Sequence, residues 1–264
     1  MRKFWEYYRI NLTERFTSQT ESIIWFLTET VPVLAMTSLW KTLEISGQIS
    51  HQRAGELTLY YILSMFITRT VSTYFEEWMI DEIKDGHFSF NLLKPISIRF
   101  YLFAHQLASR TNGTIYTIPI FIILAPYYLP TLLSVISGYK ITIFGLMMII
   151  TFAQKFMTSW LISLASFWID QASALNHLKW VCEGVFGGSW LPLTFFPIWW
   201  QNISKFTPFY TWYYFPINYL TSKSVSTIDL FWAFGSSIVW LILLIIFGEY
   251  FWRKSIKRYS AVGA

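Results

Sequence analysis

Apolar residues along this chain do not alternate in steps of two. They collect in six long stretches, about Ser22 to Trp40, Leu57 to Phe75, His105 to Leu124, Ile141 to Ile169, His177 to Trp199 and Ile228 to Trp252. A hydrocarbon layer of roughly 30 Å takes about 20 apolar residues per helical crossing, and backbone in lipid must satisfy its own hydrogen bonds. Stretches of this length therefore predict six transmembrane helices. The alternating segments of about ten residues that mark a membrane barrel are missing. Ahead of the first stretch, Phe4, Tyr8, Leu12 and Phe16 recur at every fourth position with Trp5 beside them, while Arg2, Lys3, Glu6, Arg9 and Arg15 occupy other faces. That spacing predicts an amphipathic helix over residues 1–20 lying in the membrane interface.

Between the fifth and sixth stretches, residues 201–224 form an aromatic-rich loop that Pro208 and Pro216 interrupt over a run too short to cross. A short interfacial or re-entrant helix on the outer side is expected there. Trp190, Phe195, Phe196, Trp199, Trp200, Phe209, Tyr210, Trp212, Tyr213 and Tyr214 are expected mostly to anchor at headgroup level, where Tyr and Trp concentrate. The expected fold is an all-α integral membrane protein, one transmembrane domain over residues 1–264.

Composition strengthens this picture. Hydrophobic residues make up 54% and aromatic residues 20% of the chain, more than an ordinary soluble domain carries. The basic residues gather before the first span, between the second and third, and after the sixth. By the positive-inside rule both termini and the loop at 76–99 are cytoplasmic, in a multi-pass protein of the plasma or inner membrane. That distribution explains the net charge of +5 without nucleic acid as a partner. The single Cys182 excludes an intramolecular disulfide and is expected to be a small buried thiol. His51, His87, His105 and His177 are scattered without metal-ligand spacing, and no catalytic, cofactor or metal residues are expected.

The segment Glu76 to Arg99 stands apart, with charged residues at positions 76, 77, 81, 82, 84, 85, 94 and 99 in a chain that is 13% charged. Asp81, Glu82, Lys84 and Asp85 lead to Gly86, which suits a turn, and then to Phe88-Ser89-Phe90-Asn91-Leu92-Leu93 closed by Lys94-Pro95. A short amphipathic helix presented to the cytosol is expected, as a dock for a soluble partner.

The string WMIDEIKDGHFSFNLLKPIS in this loop, PLTFFP and TPFYTWYYFP around the outer loop, and the tail WRKSIKRYSAVGA carry a likeness to a known family. The chain resembles the six-span permeases of ATP-binding-cassette type-2 exporters, within them the bacterial group of about this length that works with a second permease and a separate ATPase. The resemblance implies export of an unidentified substrate, with ATP and magnesium bound by the partner ATPase. It also implies a second related permease, or a second copy of this chain, beside it. Coupling to the ATPase would fall among Asp81, Glu82, Lys84, Asp85, Gly86, Phe88, Leu92, Leu93 and Pro95. The chain has no Gly-x-x-x-x-Gly-Lys-Ser/Thr loop of its own, so hydrolysis belongs to the partner. The rival readings are a non-transporting membrane scaffold or assembly protein and a membrane-embedded enzyme.

Four charges fall inside the spans: Glu29, Arg69, Lys155 and Glu183. Each costs about 2.5 to 3.5 kcal/mol on insertion scales and so demands protein or water around it. Glu29 and Arg69 lie at similar depth, roughly 10 Å from the cytoplasmic ends of their spans, and are expected to pair. Lys155 sits mid-span while Glu183 lies roughly 9 Å into span five. About two helical turns separate their depths, so these two are expected to face a subunit interface or a wet cavity rather than each other. Gly184 and Gly188, four apart, suggest close helix approach in lipid, or local flexibility ahead of Pro192.

Overall fold

The computed structural model describes residues 2–17, 19–133 and 136–259; within its helices the side chains of residues 19, 21, 22, 25, 29 and 120–133 lie outside that description. Among the described residues the chain is helical without a strand: α1 (Arg2–Thr17), α2 (Gln19–Ile45), α3 (His51–Val71), α4 (Glu76–Lys84), α5 (Phe88–Leu92), α6 (Ile98–Leu133), α7 (Gly138–Ala165), α8 (Ser173–Val185), α9 (Ile198–Ser204), α10 (Tyr214–Thr221) and α11 (Thr227–Arg258). By length and composition α7 and α11 are fit to cross a membrane. Serines open several of these helices by taking up a free backbone N–H. Ser50 accepts from the Arg53 amide at 3.2 Å and Ser137 from that of Lys140 at 3.4 Å.

α7 is the central post, packed against α3, α4, α8, α10 and α11. On one half of it lies a cluster around Ile67, Phe144, Met148, Phe152, Trp212 and Phe215; on the other, Phe75, Met79, Phe88, Phe156, Trp160 and Leu164 close together. A third cluster joins α2 to α3 through Val33, Trp40, Tyr61 and Met65. α1 lies along α6, with the Phe4 ring 6.2 Å from Phe103 and the Tyr8 hydroxyl donating to Thr111 Oγ1 at 3.1 Å. Part of its expected membrane-facing row is thus covered by the protein itself, while Trp5, Ile10 and Phe16 stay exposed.

The fifth apolar stretch is not one helix. α8 ends at Val185, the backbone turns through Gly188 at φ +77°, and a 3-10 turn at Leu193–Phe195 leads to α9. The glycines permit this reversal rather than a helix–helix contact. The Trp190 ring folds back over Gly184, and a Cβ on Gly187 would stand 2.5 Å from the Glu183 carbonyl oxygen. We expect Gly188→Ala to cost about 1–2 kcal/mol, the penalty of a left-handed backbone for an L-residue, and more because its Cβ would lie 2.9 Å from the Tyr60 hydroxyl. Chemical unfolding of the detergent-solubilised protein measures this; an unchanged midpoint would show that the turn does not need a glycine.

The outer aromatic loop also departs from expectation. A 3-10 turn at Pro208–Thr211 and then α10 fold back against α3 and α7. Tyr210, Trp212 and Tyr213 are buried, so they are core residues and not headgroup anchors; Trp190, Phe195 and Trp199 remain exposed. The reason is polar. Trp212 Nε1 donates to Gln154 Oε1 at 2.6 Å, and Gln154 Nε2 donates to the Ser237 carbonyl at 2.7 Å, so the aromatic segment is tied inward by hydrogen bonds to α7, which is itself tied to α11. Cys182 is partly exposed rather than buried.

Candidate functional site

Along α7, Thr151, Lys155, Ser159 and Ser163 recur at every fourth position and therefore share one face. All are buried. A polar seam of this kind inside an apolar helix must be satisfied by neighbours; Ser163 turns to the Ser159 carbonyl of its own helix, and the other three reach partners on neighbouring elements.

At the lower end of the seam the α3–α4 junction supplies Ser72, Thr73 and Glu76. Ser159 Oγ donates to Glu76 Oε1 at 2.5 Å and lies 2.6 Å from Thr73 Oγ1. The Lys179 ammonium of α8 closes an ion pair on the same Glu76 oxygen. Glu76, at the head of the loop expected to face water, is instead 1% exposed. α4 begins here because Phe75 and Met79 are pulled into the core, which carries the carboxylate in with them.

One turn higher, Lys155 Nζ donates to Glu183 Oε2 at 2.5 Å, to the Tyr213 hydroxyl at 2.8 Å and to Ser72 Oγ at 3.3 Å. Tyr213 in turn donates to Glu183 at 3.1 Å. The expectation that Lys155 and Glu183 do not meet is therefore wrong. Its fault was the helix ends: α7 stops at Ala165 and α8 starts at Ser173, so Lys155 lies ten residues (165 − 155) and Glu183 ten residues (183 − 173) from the same connection. At 1.5 Å per residue both sit roughly 15 Å deep. Above them Thr151 donates to the Thr211 carbonyl at 3.3 Å, which ties in the turn at Pro208–Thr211. α4, α8 and this turn thus all hang on one face of α7.

Arg69 is buried near the end of α3. Its expected pairing with Glu29 falls on a side chain outside the described residues.

The loop residues divide by direction. Asp81, Lys84 and Asp85 are exposed, as are Leu92, Leu93 and Pro95, with Leu93 80% exposed. Glu82 accepts from Asn91 Nδ2 at 3.0 Å, and Asn91 Oδ1 accepts from Lys94 Nζ at 2.7 Å, with that ammonium 4.0 Å over the Tyr101 ring. Burial lowers the Lys94 pKa from its ordinary value, and Glu82 works against that shift. Gly86 takes the left-handed turn at φ +77°, and its carbonyl accepts from the Tyr259 hydroxyl at 2.8 Å. Phe88 corrects the expectation: it is fully buried against Phe167, Trp252 and Tyr259, so it anchors the loop and offers a partner nothing. What faces outward is an apolar tip of Trp78, Phe90, Leu92 and Leu93 beside the charges of α4.

Sequence reasoning missed Glu76, Lys179 and Ser159. For Ser159 the signal is the four-residue polar recurrence within the fourth apolar stretch; Glu76 and Lys179 lie outside it.

Neither the curated proteins nor the solved structures yield a match to this chain. Residues 30–263 match the family model described as ABC-2 family transporter protein. Since the match spans nearly the whole length, the chain belongs to the ABC-2 transporter family and is a membrane transport permease.

Proposed function

We propose that this permease crosses the plasma or inner membrane six times with both termini in the cytoplasm, and exports its substrate using ATP hydrolysed by a separate ATPase. A second related permease, or a second copy of the chain, completes the pathway. α2, α3, α6, α7 and α11 make full crossings, and α8 with the broken segment after it makes the fifth. The α4–α5 loop docks on the ATPase, with Leu92 and Leu93 in its groove and Asp81, Lys84 and Asp85 at the rim.

The observation that carries this reading is the Glu76–Lys179 ion pair at the base of an exposed apolar tip. A loop that only docked would need no buried charge at its root. A loop that is pushed does, because the pair joins α4 to α8, and α8 holds the re-entrant Tyr213 through Glu183. Closure of the ATPases around ATP would displace α4, and the packed helices would pass that displacement to the outer segment.

Leu92→Asp together with Leu93→Asp is expected to abolish copurification of the proposed partner ATPase, because two charges would enter an apolar contact. The folded yield should hold, since both positions are exposed. ATPase retained at full stoichiometry would remove the assigned dock and favour a scaffold.

A further inference from the structure

A cavity of about 470 Å³ opens at the end of α3 opposite the α4–α5 loop, between the first two turns of that helix and α10. Part of its wall is apolar, from Leu57, Leu59 and Pro192, and the rest is polar. Arg53, Glu56, Thr194, Tyr214, Asn218 and Lys223 all line it. Glu56 is already occupied, accepting from Arg53 Nη1 at 3.2 Å and from Gln52 Nε2 at 3.1 Å. The Asn218 amide oxygen is occupied too, by the Ser222 hydroxyl at 2.8 Å. The carboxylate and the Asn218 amide oxygen are thus spoken for within the protein.

The donors are not. Among the described residues the Lys223 ammonium, the Asn218 amide N–H groups, the Tyr214 hydroxyl and the Thr194 hydroxyl have no hydrogen-bond partner. The two cations Arg53 and Lys223 outnumber the single carboxylate. The floor is fixed, since the Tyr60 hydroxyl donates to the Gly188 carbonyl at 2.8 Å and locks α3 to the turn below α10. A rigid concavity with surplus donors, a net positive wall and a tyrosine face matches a ligand bearing one anionic group and several hydroxyls.

We propose that this cavity is a binding site for a phosphorylated polyol or sugar, either free or as the headgroup of a lipid. Lys223 and Arg53 hold the phosphate, and Asn218, Thr194 and Tyr214 donate to hydroxyls. The cavity's outward placement rests on the membrane orientation proposed above; the binding itself needs no ATPase, so a failed dock and a failed cavity are distinguishable.

The test uses the full chain purified in phosphate-free detergent buffer. Isothermal titration with glucose 6-phosphate is compared with glucose, and native mass spectrometry reads the retention of phosphatidylglycerol against phosphatidylcholine. If the ligand is free, glucose 6-phosphate should bind, with glucose and the Lys223→Gln variant each about tenfold weaker, the effect of losing one charge-assisted contact. If it is lipid-borne, phosphatidylglycerol should be retained in preference and be lost in Lys223→Gln. Lys223 is exposed, so the variant should fold. Binding of neither probe, glucose binding as well as its phosphate with no lipid preference, or binding unchanged by both Lys223→Gln and Asn218→Ala would each overturn the proposal.

Discussion

Glu183→Gln should lower the stability of the folded chain by about 3–5 kcal/mol, a shift in unfolding midpoint on the order of 10 °C. Lys155 is 1% exposed and would be left as a buried cation among hydroxyls, a neutral amide and the rings of Trp212 and Tyr213, with no counter-charge. The cost comes from the uncompensated charge and not from the lost attraction, because two ions removed together no longer need each other. Lys155→Met in the same background should therefore restore most of the loss: methionine fills the lysine's volume, and glutamine still accepts from Tyr213. Unfolding of the single and double variants in detergent measures both effects. A double variant no better than Glu183→Gln would mean that the pair does not govern this part of the core.

Glu76→Gln should be comparably costly to stability, about 3–5 kcal/mol, and should in addition uncouple the proposed lever. Lys179, 9% exposed, loses its counter-charge, and α4 loses its ionic tie to α8. The exposed tip at Leu92 and Leu93 is untouched, so the ATPase should still copurify. Spin labels at the exposed positions 81 and 199 should then show an ATP-dependent distance change in the wild-type complex and little in Glu76→Gln. The charge-reversed pair, Glu76→Lys with Lys179→Glu, should recover part of it. An undiminished change in Glu76→Gln would show that movement of α4 reaches the outer segment by another route.

These expectations concern residues that differ in how legible they were. Lys155 and Glu183 announce themselves, because a charge in an apolar run has few explanations. That they touch depended on where α7 ends and α8 begins, and helix ends are set by caps and tertiary contacts that shift by several residues. Glu76 looked like one more charge in a charged loop. Only the packing of Phe75 and Met79 beneath Trp160 shows that the helix starts inside the protein. Phe88 misled for the same reason: its position after Gly86 was read correctly as a turn and helix, but a helix of one turn gives no periodicity to say which side faces in.

The family, the helical class and the loop at 76–99 were legible because they are written in local order: long apolar runs, a charged interruption, and strings that resemble a known family. Run length and apolar patterning sufficed for the helical class and the loop, while the family rested on the resemblance of those strings. The break of the fifth stretch at Gly188, the inward turn of Tyr213 and Trp212, and the pairing of α4 with α8 were decided only in three dimensions. A polar group in an apolar segment has many possible partners along a chain of this length. Which one it takes is settled when α7 packs at the centre and its seam must be satisfied from whichever elements arrive beside it.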